Sequence, residues 1–150
     1  MTGSPQSTAS HIGICVEDLE RSRRFYIDGL GCTEFARFDI NRPISEVDSP
    51  CRLSSIVLKK DGFRYELVQY HEPGAIGAPA TRRNQLGLTH LSFLVDDVDA
   101  TARELERHGG TIIEGSRSGA SDPSGVQIIF LADPDGIRIA LMRLAAGQDW

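Results

Sequence analysis

Two stretches of the chain share one alternation of apolar and polar positions. The residues from His11 to Leu19 (HIGICVEDL) reappear, in type and order, from His90 to Val98 (HLSFLVDDV). In each stretch apolar residues recur with a period of two, and acidic residues that can cap a helix follow directly. The pattern therefore predicts a short strand followed by a helix at both places.

The helices expected after these strands show the spacing of an amphipathic helix. One is predicted over residues 18–28 and the other over residues 97–108, and glycines follow both. Apolar residues three to four positions apart form one face of each helix, and glycine is the usual residue just after a helix end. The positions predicted to face the core are Leu19, Phe25, Leu30, Val98, Ala102 and Leu105.

The second half of each stretch repeats as well. Asp61-Gly62 and Asp135-Gly136 each stand between two apolar runs, which is a strong hairpin signal. We therefore predict an α+β fold of two tandem βαβββ modules, which form a curled mixed sheet around a metal-binding cleft. A doubly wound parallel sheet is the rival interpretation, but no glycine-rich phosphate loop follows either first strand and hairpins dominate both second halves.

The repeat also divides the chain. Residues 1–8 are polar and small and are predicted to be a disordered leader, and residues 9–150 to form one domain. Within that domain we expect module one at 9–72, a linker rich in proline and glycine at 73–87, and module two at 88–146.

Composition narrows the class of protein. The 150 residues carry a net charge of −5, which disfavours nucleic acid as a partner, because phosphate binding needs a basic surface. No stretch approaches the roughly 20 apolar residues of a membrane span. The three cysteines, Cys15, Cys32 and Cys51, are odd in number and widely spaced, which favours a reducing, cytoplasmic compartment.

Strand alternation places chemically active side chains on the face opposite to the helices. His11 and His90 occupy equivalent repeat positions, and Glu66 lies on the corresponding face of an apolar strand. Two imidazoles and one carboxylate suit a divalent transition metal. Arg64 lies two residues from Glu66 on the same face, so an Arg64–Glu66 ion pair is an equally weighted alternative to a metal site.

Several short motifs follow one another along the chain: Phe25-Tyr26, Leu30-Gly31, Glu66-Leu67-Val68, Thr89-His90 and Asp133-Pro134-Asp135-Gly136. Together they resemble the motifs of the vicinal-oxygen-chelate superfamily, which includes glyoxalase I, methylmalonyl-CoA epimerase, extradiol dioxygenases and bleomycin-resistance proteins. The resemblance implies that His11, Glu66 and His90 hold one divalent ion (Zn, Ni, Co, Mn or Fe). The family's fourth ligand, usually a glutamate, is replaced here by Ala140.

The resemblance also implies an activity. We expect a metal-dependent isomerase, epimerase or lyase that acts on an oxygen-rich small molecule, such as a cyclitol or a sugar-like compound of natural-product biosynthesis, through an enediolate. Ala140 cannot accept a proton, and the resemblance to methylmalonyl-CoA epimerase, whose base is a glutamate that does not bind the metal, implies Glu46 as the catalytic base, with Asp48 and Glu72 as weaker candidates. Arg64, Arg138 and Tyr70 are predicted to bind substrate, with Ala140 leaving space beside the metal.

Two alternatives stay open at this stage. Two histidines and a carboxylate can also form the facial triad of an Fe(II)-dependent, extradiol-type dioxygenase. A non-catalytic small-molecule-binding or resistance protein would use the same cleft without metal. By analogy with the family we expect a homodimer, with the modules pairing either within one chain or between two.

Overall fold

The computed structural model describes residues 7–119 and 124–149. In chain order its elements are β1 (Ile12–Cys15), α1 (Leu19–Arg24), a π-helical turn (Phe25–Gly29), β2 (Thr33–Asn41), β3 (Arg52–Lys60), β4 (Phe63–Glu72), β5 (Leu91–Leu94), α2 (Val98–Arg107), β6 (Thr111–Ile112), β7 (Gln127–Ala132) and β8 (Arg138–Arg143). Most of the leader predicted over residues 1–8 lies outside the described ranges.

Module one forms a four-stranded mixed sheet in the order β1-β4-β3-β2. β1 runs parallel to β4, while β3 is antiparallel to both of its neighbours. The β3–β4 hairpin turns at Asp61 and Gly62, whose φ angles of 47° and 86° are the left-handed values that a two-residue hairpin turn requires. The predicted hairpin is confirmed.

Module two repeats this topology, with a sheet in the order β5-β8-β7-β6. Again the first strand is parallel to the last, and the others pair antiparallel. Its outer strand β6 has two residues, against nine in the matching strand β2. The predicted α+β fold of two βαβββ modules is confirmed, and the second module has the shorter sheet.

Side-chain caps begin both helices. Asp18 accepts a hydrogen bond from the Arg21 amide. Asp97 accepts hydrogen bonds from the amides of Asp99 and Ala100. Such caps each contribute about 1 kcal/mol of helix stability. The first helix differs from prediction, because it ends as an α-helix at Arg24 and continues as the π-helical turn. The wider turn places two consecutive aromatic residues, Phe25 and Tyr26, in the core.

One hydrophobic core joins the two modules. It contains the helix positions predicted to be buried and the inner sheet positions, including Ile14, Ile56, Leu58, Leu67, Leu131, Ile139 and Leu141. Tyr65 of β4 meets Phe93 of β5 with ring centroids 5.9 Å apart. Each fully buried apolar side chain of this size contributes about 1.5–3 kcal/mol to the free energy of unfolding.

Among the described residues, no helix has the length and hydrophobicity needed to cross a membrane.

Candidate functional site

A histidine and a glutamate meet on the outer face of the module-one sheet. β1 pairs with β4 so that Gly13 lies opposite Glu66, and His11 stands two residues before Gly13 on the same face. The His11 Nε2 atom lies 3.1 Å from Glu66 Oε2, and the two side chains are 40% and 26% exposed. The Ser10 hydroxyl is hydrogen-bonded to His11 Nδ1 at 3.0 Å and orients the imidazole. The two side chains therefore lie together on one face of the sheet, and their role as metal ligands remains a prediction.

The space above the pair is open. A side-chain carbon added at Gly13 would meet nothing within 4 Å, so the strand leaves room for a ligand beside His11 and Glu66. Cys15, next along this face, is exposed. Partial burial raises the pKa of the Cys15 thiol, and the charge of Asp135 raises it further. The thiol is therefore protonated at neutral pH and is a poor nucleophile.

Arg64 lies beside the pair and does not bind it. No Arg64–Glu66 ion pair exists among the described residues. The ion pair that the sequence offered as the alternative to a metal site is therefore not formed. The Arg64 guanidinium lies 5.4 Å from the ring centroid of Phe35, while the Lys59 ammonium lies 4.7 Å from the same centroid. The buried Arg64 Nε has no hydrogen-bond partner in the described part of the chain. Arg64 therefore stacks against Phe35 and forms no ion pair with a carboxylate in these ranges.

Tyr70 lies on the same face as Glu66, four residues further along β4. Its side chain is half-buried, and burial raises the pKa of the phenol, with smaller contributions from Cys15, Cys51 and Glu66. The phenol is therefore a hydrogen-bond donor at neutral pH. Its predicted contact with substrate remains a prediction.

His90 is separated from this pair. It precedes β5, and its Nδ1 is hydrogen-bonded to the Thr89 hydroxyl at 2.9 Å. Its ring packs edge-on against Phe130, with the two ring centroids 5.4 Å apart. Burial lowers the pKa of His90, and the charges of Arg138 and Arg83 lower it further. The neutral imidazole that results is the form that binds metals.

The number of metal donors in one chain falls short of a complete site. Within residues 7–119 and 124–149, no three His, Cys, Asp or Glu side chains lie close enough to share a metal ion. The donor types of His11 and Glu66 suit a divalent ion, but catalytic zinc sites commonly use three protein ligands. One chain therefore supplies two of the three donors that the sequence predicted, and His90 is held elsewhere.

Ala140 is the structural counterpart of Glu66. Ser92 of β5 lies opposite Ala140 of β8, as Gly13 lies opposite Glu66, so the register reproduces the repeat. Ala140 is 1% exposed, however, and it pairs across the sheet with buried Phe130. The outer face of module two is thus covered at the position where that of module one is open.

Two other predicted residues lie away from the pair. Arg138 is 8% exposed and donates to the backbone carbonyls of Thr81 (2.8 Å) and Thr89 (3.3 Å). Glu46 is exposed in the β2–β3 loop, with φ of 66°. That loop leaves the sheet five residues beyond the partner of Glu66 on β3, a strand length of about 17 Å. Glu46 would reach the pair only if the loop folded over the sheet, so its role as base remains a prediction.

The sequence missed the role of the Asp133–Gly136 turn. Asp135 accepts hydrogen bonds from the Ser22 hydroxyl (2.8 Å) and the Glu17 amide (3.1 Å) and forms an ion pair with Arg21. Asp133 accepts from the buried Tyr26 hydroxyl at 2.9 Å. The turn therefore joins module two to the first helix of module one. The signal was the Asp-Pro-Asp-Gly sequence itself, which the matching turn of module one lacks.

Comparisons with known proteins agree with this architecture. The model of the Glyoxalase/Bleomycin resistance protein/Dioxygenase superfamily matches residues 8–141. The chain belongs to this superfamily. Its members include isomerases, lyases and dioxygenases, and they bind divalent metals and small-molecule substrates. The resemblance inferred from the sequence motifs is confirmed.

Individual relatives cover nearly the whole chain. The uncharacterised protein YqjT of Bacillus subtilis is 30% identical over 138 residues, which are 88% of this chain and 95% of that protein. A probable lactoylglutathione lyase of Synechocystis is 26% identical over 141 residues, 93% of this chain and 97% of that one. A glyoxalase family protein from Bacillus cereus has the same fold, with a TM-score of 0.81 at 18% identity, covering 97% and 99% of the two chains.

Proposed function

We propose that the protein is a divalent-metal-dependent isomerase or epimerase that acts on an oxygen-rich small molecule through an enediolate. The observation that carries the proposal is the His11–Glu66 pair, 3.1 Å apart, with open space above Gly13. The similarity to a probable lactoylglutathione lyase supports chemistry of this class. The three cysteines, all free, support a reducing, cytoplasmic compartment.

His11 and Glu66 would hold the ion, with Zn, Ni, Co, Mn and Fe all compatible with nitrogen and oxygen donors. A bound divalent ion supplies Lewis acidity that stabilises negative charge developing on a substrate oxygen. Arg64 would bind an acidic oxygen of the substrate beside Glu66, because its guanidinium forms no ion pair with a carboxylate among the described residues. The protonated Tyr70 would donate a hydrogen bond to the substrate, and Ala140 adds no carboxylate ligand.

Glu46 is the proposed base, which would take a proton from substrate carbon and return it. Its exposed loop would close over the sheet when substrate binds. A positioned base contributes roughly 10²–10⁴-fold to turnover. We therefore expect Glu46→Gln to lower turnover by that factor at unchanged metal content, and solvent deuterium to enter substrate in the wild type. Wild-type turnover in Glu46→Gln would reassign the base, and absence of deuterium would remove the enediolate.

The third ligand would come from a second copy of the chain. His90 lies at the start of β5, whose outer edge pairs with no strand in the described ranges. Exposed aromatic side chains, Phe35 and Phe38 on the module-one face and Phe63 beside β5, provide apolar surface for such a contact. We propose a homodimer in which His11 and Glu66 of one copy meet His90 of the other.

Metal content tests the site. Protein purified without chelator should contain about one equivalent of metal for each His11–Glu66 pair, measured by mass spectrometry. His11→Ala, Glu66→Ala and His90→Ala should each lose most of it, since three ligands leave none to spare. His71→Ala, a histidine away from the site, is the matched control. Full metal content in all three variants would remove the metal proposal.

Mixing two inactive variants tests the dimer. In a mixed dimer of His11→Ala and His90→Ala, one site combines both defects and the other combines neither. Random re-association of the two variants should therefore restore about a quarter of the wild-type sites. Absence of any recovery, with mixed dimers present by native mass spectrometry, would show that the copies do not share sites.

Oxygenation is the second candidate function. Two histidines and one glutamate match the facial triad of Fe(II) oxygenases, and dioxygenases belong to this superfamily. Iron as the retained metal, with oxygen consumed on addition of a catechol, would favour this function. Protein that contains no metal and retains none when it is supplied would favour the non-catalytic binding alternative.

A further inference from the structure

A second cavity lies on module two, away from the His11–Glu66 pair. It has a volume of about 500 Å³ and opens between the linker and the outer face of the module-two sheet. Its lining comes from residues 81–84 and 113–116 with Phe130 and Arg138, so none of it belongs to module one. Within one chain the cavity is therefore apart from the pair, and it lies beside His90, whose ring contacts Phe130 of the cavity wall.

Arg138 is a buried cation without a carboxylate partner. It is 8% exposed, and no Asp or Glu of the described residues forms an ion pair with it. In the described ranges it donates hydrogen bonds to two backbone carbonyls, those of Thr81 and Thr89, whereas a guanidinium has five N–H donors. A buried charge is costly unless it is paired. A bound anion would accept hydrogen bonds from the remaining N–H donors of Arg138 and would compensate its charge.

Arg83 brings a second guanidinium to the same cavity. Its guanidinium carbon lies over the ring of Phe130, 4.9 Å from the centroid. Arg82 also lines the cavity, and the one acidic lining residue, Glu114, forms no ion pair with any arginine in the described ranges. Three arginines against one glutamate leave an excess of two positive charges.

A purely structural role explains only part of this arrangement. By binding Thr81 and Thr89, Arg138 holds both ends of the segment that crosses the module-two sheet. That role needs neither Arg83 at the cavity wall nor the open volume between them. A lysine at position 138 could also reach one of these carbonyls, but it lacks the planar fork that binds an oxyanion through two parallel hydrogen bonds.

We propose that this cavity is an anion-binding subsite, in which Arg138 and Arg83 take a carboxylate or phosphate group of a small molecule. None of the lining residues is a proposed metal ligand, so the anion can bind without a metal ion. The further step, that the anion is part of the substrate, rests on the proposed function. The substrate class would then be an oxygen-rich acid or phosphate ester.

Calorimetric titration of the chelator-treated full chain, at constant ionic strength, tests the subsite. The probes are inorganic phosphate and acetate, one for each source of oxyanion. Arg83→Gln and Arg138→Lys should each weaken binding by about tenfold or more, since each removes a charge-assisted hydrogen bond. Arg103→Gln, an exposed arginine of α2, is the matched control and should bind like wild type.

The outcomes separate the two proposals. Binding lost in both cavity variants and kept in Arg103→Gln supports the subsite, and the tighter probe identifies the anion. No measurable binding of either probe, or equal binding in all variants, overturns it. Because Arg138→Lys could alter the fold, Arg83→Gln, an exposed linker position, decides on its own: wild-type affinity there overturns the subsite. His11→Ala should bind phosphate like wild type, so failure of the metal proposal leaves this result intact.

Discussion

The two modules share a sequence pattern and a sheet order, yet their outer faces differ. In module one the face is open, with Glu66 26% exposed at its side chain and space above Gly13. In module two the counterpart Ala140 is 1% exposed, and the linker crosses the same face, held by Arg138. One module thus presents a carboxylate beside an imidazole, and the other presents guanidinium groups. Equivalent faces of the duplicated fold therefore carry different chemical groups.

The turns between the modules differ in the same way. Asp135 of module two is 7% exposed at its side chain and contacts α1, whereas Asp61, its repeat counterpart, is 86% exposed. An ion pair and two further hydrogen bonds therefore stabilise one inter-module contact, and the equivalent contact leaves its aspartate in solvent. The pseudo-symmetry of the sequence is not carried into the contacts between modules.

Removing the carboxylate that distinguishes the open face should have the largest effect. Glu66→Ala makes module one resemble module two at this position, and we expect turnover to fall by about 10³-fold, since a catalytic metal is worth several kcal/mol. The measurements are metal content and steady-state kinetics once a substrate is known. His71→Ala, at the exposed end of the same strand, is the control. Equal loss in both variants would mean that the strand, not the carboxylate, matters.

Breaking the closed turn should destabilise the protein by about 2–3 kcal/mol. Asp135→Ala leaves Arg21 without its carboxylate partner, and the partial exposure of Arg21 keeps the effect below that of a fully buried pair. Asp61→Ala at the open turn should change stability by less than about 0.5 kcal/mol. Urea unfolding of both variants measures the contrast. Similar destabilisation in the two would show that the contacts between modules are equivalent.

Adding a carboxylate to the covered face should cost about 1–3 kcal/mol. Ala140→Glu places extra atoms and a charge where the side chain is 1% exposed, so it overpacks the contact with Phe130. Ala36→Glu is the control, because Ala36 lies across from Val57 on the open module-one face. Thermal melting should separate the two variants. An Ala140→Glu variant as stable as wild type would indicate that the module-two face opens.

The smallest expected effect is a pH dependence at Asp133. Burial raises the pKa of Asp133 although the Ile137 amide, the Tyr26 hydroxyl and the Asp135 amide donate to it. The folded state therefore holds the proton more tightly than the unfolded state. This stabilisation is complete below the unfolded pKa of about 3.9 and is lost as pH rises through the folded pKa.

Comparison of wild type with Asp133→Asn isolates that contribution. The unfolding free energy of wild type relative to Asp133→Asn should increase as pH falls from neutral towards 4, by up to about 1.4 kcal/mol for each unit of pKa shift. Tyr26→Phe should enlarge the increase, because it removes a hydrogen bond that opposes the shift. A difference that stays constant with pH would contradict the assignment.

The sequence predicted the modules well because their determinants are local. Apolar alternation, the caps at Asp18 and Asp97 and the Asp61-Gly62 turn each act within a few residues. The neighbouring positions of His11 and Glu66 also followed from pattern, since strand parity fixes the face and the repeat fixes the register. The sequence also shows the residues that distinguish the two faces, because Glu66 and Ala140 occupy equivalent positions of the repeat.

Tertiary packing decided what the sequence could not. Which module faces pack into the common core, where the linker runs, and which turn closes against α1 depend on contacts between residues far apart in the chain. A duplicated pattern has more than one way to pair its halves, so the sequence left the position of His90 relative to His11 open. The roles of Arg83, Arg138 and Asp135 arise from that packing, because each acts on a partner that only the folded chain brings near.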